Sequence, residues 1–170
     1  VGQATWTHVD AAWAGPLIFT KYAHRLEGIK LADSVAISAH KWLFQPKECA
    51  IILFKKANEV QKNISYGGSY LSASNVGLLG SHGASAVPLM ATLLAFGKNG
   101  IAELIEDCMA SAEDFSILIS REAGLEILTK PTSGIVVWRP TNVGIFEAMK
   151  AKIPAPVTST TMIRGEHWFR

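Results

Sequence analysis

Cysteine is scarce in this chain. Cys49 and Cys108 are the only two, they share no CxxC spacing and no histidine pattern accompanies them, which argues against a zinc site or a disulfide framework. The setting this implies is reducing and cytoplasmic. Neither sign of charge dominates: 16 basic side chains face 14 acidic ones, for a formal charge of +2. No basic block is present, so neither nucleic acid nor an anionic membrane is implied as a partner. Long apolar runs are missing as well. The longest, residues 83–97, falls short of the roughly 20 residues that span a bilayer and reads as a buried helix. No charged segment followed by an apolar one opens the chain, as a secretory signal would require. Internal repeats and low-complexity tracts are also missing.

What is there is the composition of a globular unit, 49 % hydrophobic and 18 % charged, with enough apolar side chain to bury a core. Short apolar runs alternate with amphipathic ones, the α/β pattern in which strands buried on both faces read as nearly continuous hydrophobic stretches. Strands are predicted over residues 5–9, 34–38 and 49–54. Polar chemistry gathers just past their ends, where open α/β sheets bind ligands. Residues 62–81, rich in Ser, Gly, Asn and Tyr, have no period and are expected to form a long loop, a candidate lid. An apolar helix over residues 84–96 should follow. A second helix should begin at an Asn99 cap, carry Ile101, Leu104, Ile105, Cys108, Met109, Ala112, Phe115, Leu118 and Ile119 on one face, and end near Gly124. From Leu125 the rhythm changes to strands at 125–129 and 135–139, a helix at 143–152 and a strand at 157–163, which suggests a separate small domain from about residue 122. The first residue is Val1 rather than Met, and residues 167–170 have strand character, so both ends are expected to be cut from something larger.

Two short runs carry the chemistry. A lysine in an α/β segment is ordinarily a snorkelling surface residue. Lys41, however, follows a buried-type strand, is preceded by the donors Ser38 and His40, and is followed by the bulky Trp42 and Leu43. Desolvation and nearby positive charge lower a lysine pKa, and a lysine so tuned forms a Schiff base with an aldehyde. Asp10, at the end of His8-Val9-Asp10-Ala11-Ala12, is either a helix cap or a carboxylate paired to a protonated pyridine nitrogen, which would make the ring an electron sink. The small Ala11 and Ala12 would let a flat ring approach the backbone. The Gly80-Ser81-His82-Gly83-Ala84-Ser85 turn is either a plain loop-to-helix junction capped by Ser81 or a phosphate site at a helix N-terminus. Tyr66, Tyr70 and His82 are ambiguous in the same way. Arg139, Arg164 and His167 could meet a substrate carboxylate but read first as surface or packing residues.

The HVDAA run, an intervening helix and strand, and then Ser38-Ala39-His40-Lys41-Trp42 with Gln45-Pro46-Lys47 resemble the group II decarboxylases that depend on pyridoxal 5'-phosphate (PLP), a family that includes aromatic amino acid, glutamate, histidine and 2,4-diaminobutyrate decarboxylases. The resemblance implies a fold-type I PLP-dependent transferase-like fold, with residues 1–121 as part of the large, mainly parallel-sheet α/β domain and 122–170 as the start of a small C-terminal α+β domain. It implies α-decarboxylation of an L-amino acid in a homodimer. Lys41 would carry the cofactor as a Schiff base, Asp10 would pair with the pyridine nitrogen, and Ala12 would pack on the ring. Ser38 and His40 would contact the phosphate or its surroundings, His40 standing beside Lys41 as a catalytic candidate, and Gly80 and Ser81 would reach the phosphate of the partner subunit. In animal aromatic decarboxylases a loop tyrosine protonates the substrate carbon; here Tyr70 falls on an earlier position and residues 72–79 contain no tyrosine. The part of the family that stacks on the cofactor lies upstream of Val1, so the segment alone is expected to be inactive. The alternatives are another fold-type I lyase, a desulfurase, a decarboxylation-dependent aldehyde synthase, or a structural remnant without cofactor.

Overall fold

The computed structural model describes residues 5–67, 75–76, 83–154 and 157–170. Contacts divide the chain into two units, Val1–Ile105 and Glu106–Arg170. In the first, strands β1 (His8–Asp10), β2 (Ser34–Ser38) and β3 (Ala50–Phe54) form a sheet in that order. β1 runs parallel to β2, with His8 opposite Ser34 and Asp10 opposite Ala36. β3 runs antiparallel to β2, with Ser38 opposite Ala50. Chain length decides both directions: residues 11–33 are enough for a crossover, whereas the turn over 39–49 only brings the chain back beside the strand it left.

β1 is shorter and later than the strand expected at 5–9. Thr7 lies just before the paired register: its N–H donates to Asp33 Oδ2 at 2.8 Å and its carbonyl accepts from Asp33 N at 2.8 Å and from Ser34 N at 3.3 Å. Next to it, the Trp6 indole donates to Ser34 Oγ at 2.9 Å and His8 Nδ1 lies 2.7 Å from the same oxygen. An indole only donates, so the Ser34 hydroxyl accepts from Trp6, and its contact with His8 Nδ1 ties β1 to β2. The helix expected between the two motifs is instead three short 3-10 turns, Gly15–Phe19, Ala23–Leu26 and Ile29–Leu31. Pro16 and the left-handed Gly28 (φ +86°) punctuate this stretch before a longer helix can build.

Part of the loop expected over 62–81 is regular structure, and residues 68–74 and 77–81 of it lie outside the described residues. Residues up to Ile64 belong to α1 (Ala57–Ile64), and β4 (Ser65–Tyr66) pairs with β5 (Asn75–Val76). The long helix α2 (Ala86–Arg121) is broken at Gly97, whose φ of 60° and ψ of −176° only glycine adopts readily. The two expected helices are therefore both present, joined at Gly97 rather than separated at Asn99. The buried stripe on α2 is Ile101, Ile105, Met109, Ala112, Ser116 and Ile119. It is narrower than expected: Cys108, Phe115 and Leu118 are exposed, and Ser116 takes a core position by bonding its hydroxyl back to Glu113 O. α2 stops at Arg121, ahead of the left-handed Gly124 (φ +84°).

The second unit builds a four-stranded antiparallel sheet in the order β6 (Leu125–Ile127), β7 (Trp138–Pro140), β9 (Glu166–Phe169), β8 (Thr160–Ile163). The strands are shorter than, or shifted from, those expected at 125–129, 135–139 and 157–163. α3 (Val143–Lys152) begins and ends where the periodicity put it, capped by Asn142 Oδ1 accepting from Gly144 N at 2.8 Å. The core is Ile119, Trp138, Phe146 and Phe169, with the Phe146 and Phe169 rings stacked at 4.4 Å. β8 and β9 meet through the two-residue loop Arg164-Gly165, both at positive φ, a combination that matches the right-handed twist of a hairpin. Among the described residues no helix is long and apolar enough to cross a membrane.

Candidate active site

The parallel pairing of β1 and β2 brings the two motifs side by side at the carboxyl ends of their strands. Past the ladder the contact continues: Ala11 N donates to Ala36 O at 2.9 Å and Ser38 N donates to Ala12 O at 3.3 Å. Asp10, Ala12 and Ser38 thus lie along one edge. The chain then turns, with Lys41 N donating to Ser38 O at 3.1 Å, His40 N to Cys49 O at 3.2 Å and Gln45 N to Ala39 O at 3.2 Å. His40 Nδ1 also lies 3.3 Å from Cys49 O.

Burial within this turn alternates sharply. Ala39, Trp42 and Leu43 are buried, Lys41 is half-buried and His40 is exposed. The Trp42 ring packs edge-on to Trp13, with centroids 4.9 Å apart, so the residue after HVDAA meets the residue after the lysine. Such aromatic pairs add about 0.5–1.5 kcal/mol beyond area burial. Trp13 was not among the sequence candidates; its place directly after Ala12 was the available signal. Asp10 is exposed, and its Oδ1 accepts from Ala12 N at 3.0 Å. This bond caps a local turn and not the helix foreseen for it, since the 3-10 turn that follows has Ala14 at its cap position with no side-chain bond. Its second oxygen, Oδ2, has no partner among the described residues, so the cap does not exhaust the carboxylate.

The second unit treats its candidates differently. Arg139 is held by Glu126 at 2.6 Å and by Glu166 at 3.0 Å, and its guanidinium lies 4.1 Å over the Trp168 ring. Its hydrogen bond to Glu126, seconded by Glu166 against some desolvation, keeps its pKa above the usual arginine value. Its charge is therefore already committed. A cleft of about 340 Å³ opens beside it, lined by Thr141, Phe146, Glu147 and His167 among others. His167 is exposed with its ring 6.0 Å from Phe146, and Arg164 is exposed in the hairpin loop. Tyr66 is exposed on β4. Gly80, Ser81, His82, Tyr70 and all of 72–79 except Asn75 and Val76 lie outside the described residues.

Residues 2–141 match the family model described as the pyridoxal-dependent decarboxylase conserved domain. The chain belongs to that family. The aspartate 1-decarboxylase of Aliivibrio fischeri is 33 % identical over 145 residues, covering 80 % of this chain and 26 % of the relative. An L-2,4-diaminobutyrate decarboxylase of Acinetobacter baumannii is 27 % identical over 175 residues, covering 95 % of this chain and 34 % of the relative. The crystal structure of Oryza sativa TDC with PLP and tryptamine superposes with a TM-score of 0.78 at 18 % identity, over 98 % of this chain and 39 % of that one. The fold is thus that of the fold-type I decarboxylases. This family member spans about a quarter to a third of the length of these two curated relatives.

Proposed function

We propose that the protein carrying this chain is a homodimeric, cytoplasmic, PLP-dependent enzyme that removes the α-carboxyl group of an L-amino acid as CO2 and releases the amine. The observation that carries this is the gathering of Asp10, Ala12, Ser38, His40 and Lys41 at the carboxyl ends of two adjacent parallel strands, with Asp10 Oδ2 open. These residues fit the cofactor: one carboxylate oxygen left for a ring N–H, small side chains beside it, and a half-buried primary amine for an aldehyde. When bound, PLP supplies a ring that accepts the electron pair left behind as the carboxyl group departs.

The chain's own part is to hold and shield. Lys41 Nζ would bind the cofactor covalently and be displaced by the substrate amine. Asp10 would keep the proton on the ring nitrogen, because a neighbouring negative charge favours the cationic form. Ala12 would let the ring lie close to the backbone, while Ser38 and His40 donate to the phosphate. Trp42 and Leu43, both buried, would help to keep water from the lysine. Gly80 and Ser81 would contribute to the partner subunit's phosphate, and the small domain would begin near residue 122. In the first unit the apolar Ile52, Leu53, Val87 and Leu94 are exposed, side chains that the rest of the polypeptide or a second subunit would cover. Aspartate and 2,4-diaminobutyrate are the first substrates to try, because relatives act on them by name.

The test is the visible spectrum of the full-length protein with added PLP, before and after borohydride reduction, beside a Lys41→Ala variant. A band that reduction fixes covalently in the wild type and not in the variant supports the reading, and CO2 release then screens substrates. A folded dimer with no such band overturns it and leaves a cofactor-free structural role.

A further inference from the structure

The turn that carries Lys41 is not held by regular secondary structure. Its backbone passes through two left-handed positions occupied by ordinary residues, Phe44 at φ 56° and Glu48 at φ 74°, conformations that persist only where surrounding contacts impose them. Gln45 follows Phe44 directly and is 7 % exposed. Its Nε2 donates in two directions, to Leu43 O at 2.6 Å within the turn and to Thr92 Oγ1 at 2.9 Å on α2. Its Oε1 is buried with no hydrogen-bond partner. An unsatisfied buried amide oxygen is a cost, so whatever this side chain contributes lies in the two Nε2 bonds. At the far end of the turn the Cys49 thiol reaches Ser85 O at 3.4 Å, at the foot of α2. The lysine turn is therefore fastened to one helix at two points, Ser85 and Thr92, about two helical turns apart.

We infer that Gln45 is a positioning residue for Lys41: by linking Leu43 O to Thr92 it holds the lysine turn against α2 and so presents the Lys41 amine to the cofactor's carbonyl carbon. The inference rests on the proposed role of Lys41. In the step it serves, the Nζ lone pair adds to the aldehyde carbon, a carbon–nitrogen double bond forms and the carbonyl oxygen leaves as water. Gln45 touches neither reacting atom. Its effect is on how often the amine is in line, an orientation effect.

The experiment uses the full-length apoprotein mixed rapidly with PLP, following growth of the lysine-linked absorption band in wild type, Gln45→Leu, Thr92→Val and the double variant. The expected result is band formation slowed about fivefold in each single variant, the factor that one hydrogen bond of ordinary net strength supplies. The double variant should be no slower than either single one, because the same link is lost. The melting temperature should move little in Gln45→Leu, since leucine also removes the orphaned oxygen. In a Lys41→Ala background, non-covalent PLP affinity should be unchanged by Gln45→Leu. Unaltered rates in the variants beside a normal wild-type band would overturn the inference and leave the proposed function standing. Additive slowing, or a parallel loss of non-covalent affinity, would overturn it in favour of a general packing role. No band in the wild type would remove the Lys41 reading and this inference together. If Gln45→Leu does not fold, Thr92→Val alone decides, as it keeps the volume and removes only the acceptor.

Discussion

Gly15 should be intolerant of a single added carbon. It opens the first 3-10 turn after HVDAAW, is buried, and its N–H donates to Ala11 O at 2.9 Å. A Cβ placed on it would lie 2.7 Å from Ile37 Cγ1 and 2.9 Å from Cδ1, well inside contact distance and not against the end of a freely moving chain. Ile37 is the residue before Ser38, so the displaced side chain pushes on the strand end that feeds the lysine turn. Overpacking of this kind costs about 1–3 kcal/mol, while replacing glycine by alanine returns about 0.4–1 kcal/mol by restricting the unfolded chain. Gly15→Ala should therefore destabilise the protein by about 0.5–2 kcal/mol in urea titration. Ile37→Ala alone should cost about 2–5 kcal/mol through its cavity. Combined, the two should cost less than their sum by about 1–3 kcal/mol, because alanine at residue 37 removes every atom in the clash. Strict additivity, within about 0.5 kcal/mol, would refute the close packing of Gly15 on Ile37.

Asp10→Asn retains an oxygen to cap Ala12 N but loses the charge, so melting should be nearly unchanged while decarboxylation by the full-length protein falls on the order of a hundredfold, the size of one preorganised electrostatic contact; unchanged turnover would reduce Asp10 to its cap. Phe169→Ala removes a ring that is 1 % exposed and touches Trp138 and Phe146, and should cost about 3–5 kcal/mol by denaturant titration; a loss under 1 kcal/mol would dissolve the second unit's core as described. Arg164→Asn places a residue that tolerates the left-handed region at φ 53° before Gly165, and should stabilise by up to about 1 kcal/mol, read as a higher melting temperature; a fall would contradict the hairpin geometry.

The chemical motifs and the helix α3 were legible in the chain because both are local. HVDAA and the lysine run are contiguous, and α3 announces itself through the Asn142 cap and a helical period. Strand ends were less legible, since the N–H of Thr7 goes to the side chain of Asp33, distant in sequence. The kink in α2 lay at Gly97 and not at the better-looking cap Asn99, as backbone freedom outweighed side-chain preference there. Gln45 stood out only as part of the family-like run Gln45-Pro46-Lys47; nothing in the sequence pointed to Thr92, which folding brings to 2.9 Å from its amide.

Residue identities alone decided which groups could do the chemistry, because an amine, a carboxylate and two small residues keep their character in any fold. Tertiary structure decided which of them share a place. It set the HVDAA run beside the strand that leads into the lysine turn by laying β1 parallel to β2, and it withdrew Arg139 by surrounding it with Glu126 and Glu166. It also set Trp13 against Trp42 and the Gln45 amide against Thr92, and sequence spacing cannot encode a contact whose two halves are joined only by folding.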